Sequence, residues 1–162
     1  MPVEMPVHAL WLRTRRPVIL GPVTRRGEGT RRPRRRRAGV LAVDDQAAFL
    51  SVMRDLLAAT EHLEVVAEAE SAQAAIELAG EIEPGMVLMD IWMPGMDGMS
   101  AVQEIKARLP DTIVVLTSTT HPDELPLRPD DLGADAVVWK SDLRPALLDD
   151  IWLRSSSSAS DS

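Results

Sequence analysis

The chain has 162 residues, enough for one ordinary domain and a tail but not for two full domains. Apolar residues make up 45% and charged residues 27%, the balance of a soluble globular fold. There is no cysteine, which excludes a disulfide scaffold, a thiolate metal site and a cysteine nucleophile, and no run of about 18 apolar residues marks a membrane span.

The net charge of -7 conceals an asymmetry. Residues 1–38 hold eleven Arg against Glu4 and Glu28, a balance of +9, while residues 39–162 hold seven basic and 23 acidic side chains, a balance of -16. Segment 1–38 carries Pro at 2, 6, 17, 22 and 33 and the run Arg31-Arg32-Pro33-Arg34-Arg35-Arg36-Arg37. Like charges this close repel, and too little apolar area remains to offset the entropy of ordering, so a disordered tail is expected over 1–38. Thr14-Arg15-Arg16 before Val18-Ile19-Leu20 has the look of a twin-arginine export signal, but the apolar stretch is short and bounded by prolines. Three readings of the tail stay open. It can bind nucleic acid by neutralising phosphates, clamp onto the acidic body, or be upstream sequence translated through a wrongly assigned start near Ala38. The abrupt change of composition at Ala38-Gly39 favours the last.

From Gly39 short apolar runs alternate with amphipathic stretches. Val40-Leu41-Ala42-Val43 ends at Asp44-Asp45 and reads as a strand buried on both faces. Residues 46–59 place Phe49, Val52, Met53, Leu56 and Leu57 at helical spacing. Leu63 to Ala69 is a second strand, and Ser71 is placed to cap a helix over 72–82. Met86-Val87-Leu88-Met89 ends at Asp90. The loop Met93-Pro94-Gly95-Met96-Asp97-Gly98 then leads into a helix with Val102, Ile105 and Leu109 on one side, broken by Pro110-Asp111. Ile113 to Leu116 ends at Thr117, Ala136 to Trp139 ends at Lys140, and 142–153 makes a last helix. Ser155 to Ser162 is expected to be a polar tail without packing value.

Five strand–helix units with β-branched strands imply a parallel sheet covered on both faces, and right-handed crossovers make it a doubly wound α/β domain. In such sheets ligands bind outside the carboxyl ends of the strands. Asp44, Asp45, Asp90, Thr117 and Lys140 all stand at those ends. Any one alone is unremarkable; the series is not. Three crowded carboxylates without His or Cys call for a hard cation such as Mg²⁺. A hydroxyl and an ammonium opposite them suit a phosphoryl group, and an Asp at the centre can serve as nucleophile and form an acyl phosphate.

Val43-Asp44-Asp45, Met89-Asp90 with Met93-Pro94-Gly95-Met96-Asp97-Gly98, Leu116-Thr117-Ser118, and Gly133-Ala134-Asp135 followed by Lys140 resemble, in order and spacing, the receiver domains of bacterial two-component response regulators. The resemblance covers about residues 39–153. It implies a flavodoxin-like fold, βα repeated five times, with strand order 2-1-3-4-5. It divides the chain into a tail over 1–38, a receiver over 39–154 and a serine-rich tail over 155–162. Asp90 is then the phosphoacceptor for a histidine kinase or phosphotransfer protein. Asp45 and Asp90 ligate Mg²⁺ directly, Asp44 acts through a water, and the Trp92 backbone carbonyl is a further ligand. Thr117 and Lys140 engage the phosphoryl group, and Trp92 lines the route of attacking water. The protein is expected in the cytoplasm, without enzymatic activity beyond its own phosphorylation and dephosphorylation. A downstream protein is its partner, and activation allows dimerisation.

Three departures from the family pattern stand out. Val137 replaces the aromatic usual three residues before the lysine. Pro126 and Pro129 should shorten or break the fourth helix. Ser141 follows Lys140 where many members carry proline. No output domain is expected in the residues after Arg154. The alternatives are therefore a truncated or tail-mediated DNA-binding regulator, and a phosphate-independent pseudo-receiver acting as a protein-interaction module. An ordinary phosphatase fits less well, because Asp90 is followed by Ile91-Trp92 rather than a second Asp.

Overall fold

The computed structural model describes residues 36–125 and 129–157. Most of the expected basic tail, residues 1–35, and the end of the expected serine tail, 158–162, lie outside them. The elements in order are β1 (Ala38–Val43), α1 (Ala47–Ala58), β2 (Leu63–Ala69), α2 (Ala72–Ile82), β3 (Met86–Asp90), α3 (Gly98–Arg108), β4 (Ile113–Ser118), α4 (Pro129–Leu132), β5 (Ala136–Trp139) and α5 (Pro145–Ser157). Short 3-10 turns lie at Pro122–Glu124 and Lys140–Asp142. All pairings are parallel and the order is β2-β1-β3-β4-β5, the doubly wound flavodoxin-like sheet expected from the sequence. Among the described residues no helix is long and apolar enough to cross a membrane.

Strands β1, β3, β4 and β5 are apolar up to their carboxyl ends because both sheet faces are covered there, whereas the edge strand β2 carries Glu64 and Glu68. Alternation sends Leu41, Val43, Val87, Met89, Val114, Leu116 and Val137 to a core shared with α2 and α3. Val40, Ala42, Met86, Leu88, Ile113, Val115 and Val138 point the other way, onto α1 and α5. Helices α2 and α3 begin where short polar side chains satisfy free backbone N–H groups. Ser71 Oγ accepts from the Ala74 N–H at 3.1 Å, and Asp97 Oδ1 accepts from the Ser100 N–H at 2.8 Å.

Both expected boundaries of the body require correction. Arg37, assigned to the tail by its neighbours' charge, is docked: Nη2 donates to the carbonyls of Leu57 at 2.9 Å and Thr60 at 2.6 Å. It thus anchors the residue before β1 to the last turn of α1 and the turn after it, where the Leu57 carbonyl also accepts the Thr60 N–H and hydroxyl. At the other end α5 continues to Ser157 and Ser155 is buried, so three serines expected in a polar tail are helical. Ser156 and Ser157 donate their hydroxyls to the carbonyls four residues back, at 2.8 Å each, which satisfies these groups within the helix. The same helix starts at Pro145, not at 142. Proline fits a first helical turn, and Leu143, two residues before it, is extended, with φ -61° and ψ 123°.

The fourth helix is as short as its prolines suggested, four residues from Pro129 to Leu132. If Arg37 anchors the chain to the end of α1 as described, Arg37→Ala should lower the stability of the fold by about 1–2 kcal/mol. Urea unfolding checks this, and an unchanged midpoint would return Arg37 to the tail.

Candidate functional site

The sheet delivers its polar residues to one rim. Asp44 and Asp45 follow the last residue of β1, and the Asp44 N–H is held by the Ala69 carbonyl at 3.1 Å. Asp90 is the last residue of β3, paired in register with Thr117 on β4. Lys140 follows β5 directly. Carboxylate oxygens of Asp44, Asp45 and Asp90 all lie within 4.8 Å of one another.

Burial divides the three acids. Asp44 is wholly buried, Asp90 is 7% exposed and Asp45 faces solvent. Lys140 Nζ donates to Asp44 Oδ2 at 2.6 Å and stands 3.4 Å from Asp90 Oδ2. Asp44 Oδ1 accepts the Gln46 N–H at 2.9 Å, and Asp90 Oδ1 accepts the Trp92 N–H at 3.4 Å. Burial pushes the Asp90 carboxyl above its ordinary range. The negative charge of Asp44 adds to that rise, while Lys140 and the Trp92 N–H oppose it. Thr117 Oγ1 is buried without a hydrogen-bond partner. A hydroxyl left so is costly, and it is the place where an acceptor oxygen would be welcome.

The loop after β3 needs Gly98. A Cβ there would come within 2.8 Å of the Asp90 carbonyl and 3.0 Å of the Ile91 Cα, and the Gly98 N–H donates to the Ile91 carbonyl at 2.9 Å. Only a residue without a side chain lets the start of α3 lie against the backbone that carries Asp90. Trp92 is 50% exposed at the edge of the site.

The donor set is suited to a hard divalent cation. Three carboxylates face one ammonium, all the anionic donors are oxygens, and one of them, on Asp45, is open to solvent.

The six residues singled out from the sequence occupy one rim, and three further residues join them there. Phe49, read as a core-facing helix position, lies with its ring centroid 4.0 Å from Lys140 Nζ. Trp139 donates its indole N–H to the Thr119 carbonyl at 3.0 Å. His121, read as a plain loop residue, packs edge-on against Trp139 with centroids 5.2 Å apart. Helical spacing placed Phe49 in the core but gave no signal of its contact with Lys140, which joins α1 to the end of β5. Trp139 and His121 carried none, because their meeting depends on the path of the chain after β4. Val137 is buried in the α2–α3 core, so the aromatic linking β5 to this loop stands at 139.

The model of the response regulator receiver domain matches residues 40–151. Among curated proteins, the transcriptional regulatory protein YdfI of Bacillus subtilis is 34% identical over 101 residues, which are 62% of this chain and 47% of that protein. A protein-glutamate methylesterase/protein-glutamine glutaminase of Vibrio vulnificus is 42% identical over 82 residues, 51% of this chain and 22% of the relative. The chain thus spans about half the length of the first and about a fifth of the second. Among solved structures, the response regulator domain of Thermotoga maritima CheB superimposes with a TM-score of 0.66 at 27% identity, over 75% of this chain and 98% of that one. The likeness to the methylesterases is therefore a likeness to their regulatory part. With the doubly wound sheet, the acidic rim and the match over residues 40–151, the chain belongs to the response regulator receiver domain family.

Proposed function

We propose that this chain is a phosphoryl-accepting receiver in a phosphorelay, with Asp90 as the acceptor. The observation that carries this reading is the rim itself: three clustered carboxylates with one ammonium, that of Lys140, beside a buried, unpartnered Thr117 hydroxyl. An Asp90 oxygen attacks the phosphorus of a kinase or phosphotransfer-protein phosphohistidine. The P–N bond breaks, and its electron pair returns to the imidazole. Lys140 turns its Asp90-facing donor to a phosphoryl oxygen, and Thr117 donates to another. Trp92 shelters the acyl phosphate from water. Asp45 and Asp90 would hold Mg²⁺, with the Trp92 carbonyl as a further ligand and Asp44, already engaged by Lys140 and Gln46, acting at one remove. Bound there, Mg²⁺ neutralises charge on the transferring group.

Such a chain works in the cytoplasm beside its kinase and signals to a downstream protein, with dimerisation open to the activated form. Contacts of the arginine-rich segment 1–38 with nucleic acid would add a salt-dependent, sequence-blind attraction. Two observations favour a second reading, a phosphate-independent interaction module: α4 has four residues, and Val137 is packed in the core.

Acetyl phosphate with Mg²⁺ separates the two. The purified protein should gain one phosphoryl group by intact mass, and Asp90→Asn or a chelator should abolish the gain. A folded protein that gains nothing belongs to the second reading.

Stability gives an independent check. With its pKa raised, Asp90 favours the fold most below the ordinary value of 3.8, and that contribution is lost as pH rises through the folded-state value. At neutral pH without metal the ionised group therefore costs stability. Asp90→Asn should raise the unfolding midpoint by roughly 2–6 °C at pH 7 in chelator, and the gain should shrink toward pH 4. A lower midpoint for the variant at pH 7 would contradict the sign.

A further inference from the structure

An ammonium has three N–H donors and no geometric preference of its own, so its neighbours decide where it points. Two neighbours of Lys140 are the carboxylates already described, Asp44 at 2.6 Å and Asp90 at 3.4 Å. The third is the face of the Phe49 ring, 4.0 Å from Nζ to the centroid. A ring face carries negative potential, and the attraction for a cation grows where water is excluded. The Lys140 side chain is only 10% exposed, so little water screens the contact.

Phe49 is itself firmly placed. It is packed against the α1–α5 core, and its N–H donates to the Gln46 carbonyl at 2.9 Å in the first turn of α1. The N–H of the same Gln46 donates to Asp44. The ring and the buried carboxylate are thus held by one turn of backbone, and together they form two walls around the ammonium.

We propose that Phe49 is a positioning residue for phosphoryl transfer, its ring face holding the Lys140 ammonium between Asp44 and Asp90 and aimed at the acceptor. This rests on the reading of Asp90 as phosphoacceptor. When Asp90 is phosphorylated, the ammonium keeps the ring and Asp44 and has only its Asp90-facing donor to redirect. An aliphatic residue at 49 would keep the volume and lose the attraction, leaving the ammonium free to turn away from Asp90.

The chain is well suited to the test. Phe49 is its single phenylalanine, and Lys106 and Lys140 are its only lysines. Growth of a phenylalanine auxotroph on a ring-trifluorinated phenylalanine would therefore alter position 49 alone, keeping the ring while depleting its negative face. Three samples go beside the unmodified protein: the fluorinated protein, Phe49→Leu and Phe49→Tyr. Each is assayed for phosphorylation rate with acetyl phosphate and Mg²⁺ and for unfolding midpoint. NMR of isotope-labelled lysine reads the Cε protons of Lys140.

We expect a ring-current displacement of the Lys140 signal that disappears in Phe49→Leu. The phosphorylation rate should fall about fivefold in Phe49→Leu and in the fluorinated protein and be kept in Phe49→Tyr, with the fluorinated protein unfolding at the unmodified midpoint. An unchanged rate in the fluorinated protein would overturn the proposal, as would a Lys140 signal indifferent to Phe49→Leu. If the unmodified protein takes up no phosphoryl group, the acceptor reading fails. The lysine signal then still decides whether the ring holds the ammonium.

Discussion

The ion pair between Lys140 and Asp44 is the constraint around which the rest of the rim is organised. Asp44 is completely buried, and an ionised carboxylate there is tolerable only with a close counter-charge and satisfied oxygens. Lys140 supplies the charge at 2.6 Å and the Gln46 N–H supplies the second contact. The two partners are separated by 96 residues of chain, so the pair forms only when β1 and β5 occupy their places in one sheet. The fold and the site are completed by the same event. Asp90 lies beside this pair without being neutralised by it. Its carboxyl is pushed up by burial and held poised between Lys140 and Asp44.

Around that pair the backbone does the aiming. Gly98 lets α3 close against the strand end that carries Asp90, and the register of β3 with β4 sets Thr117 opposite it. The loop after β4 is tied to β5 by the Trp139 indole on the Thr119 carbonyl, with His121 against the ring. Val137 sits in the core instead of linking the strand to that loop. The acidic rim and the segment that follows β4 are therefore built differently. The acidic rim follows the family pattern, while the segment between β4 and β5 has a short helix and an aromatic contact at an unusual place.

Much of this was legible in the residues. Continuous apolar runs such as Met86 to Met89 and Ile113 to Leu116 announce strands covered on both faces, and an acid, hydroxyl or amine after each places a site on one edge. Local chemistry was harder to read where two signals competed. The charge of the arginine run hid that Arg37 is anchored to the end of α1, and the serine-rich composition hid that α5 continues to Ser157. The last helix seemed to begin at 142 because its apolar spacing starts early, whereas Pro145 sets its first turn. Phe49 shows the general difficulty. Helical periodicity assigns it to the core correctly, yet its contact with Lys140 joins α1 to the end of β5, and no local pattern encodes that distance.

The claim that the rim needs a cation, the lysine ammonium at rest and Mg²⁺ when active, is tested most directly by the unfolding midpoints of the protein and Lys140→Met with and without Mg²⁺. Without the ammonium the three carboxylates repel one another unopposed. Lys140→Met should therefore unfold several degrees lower in chelator and gain more from Mg²⁺ than the unmodified protein does. The same loss with and without Mg²⁺ would contradict the account, because Lys140 would then be supporting the fold through packing alone.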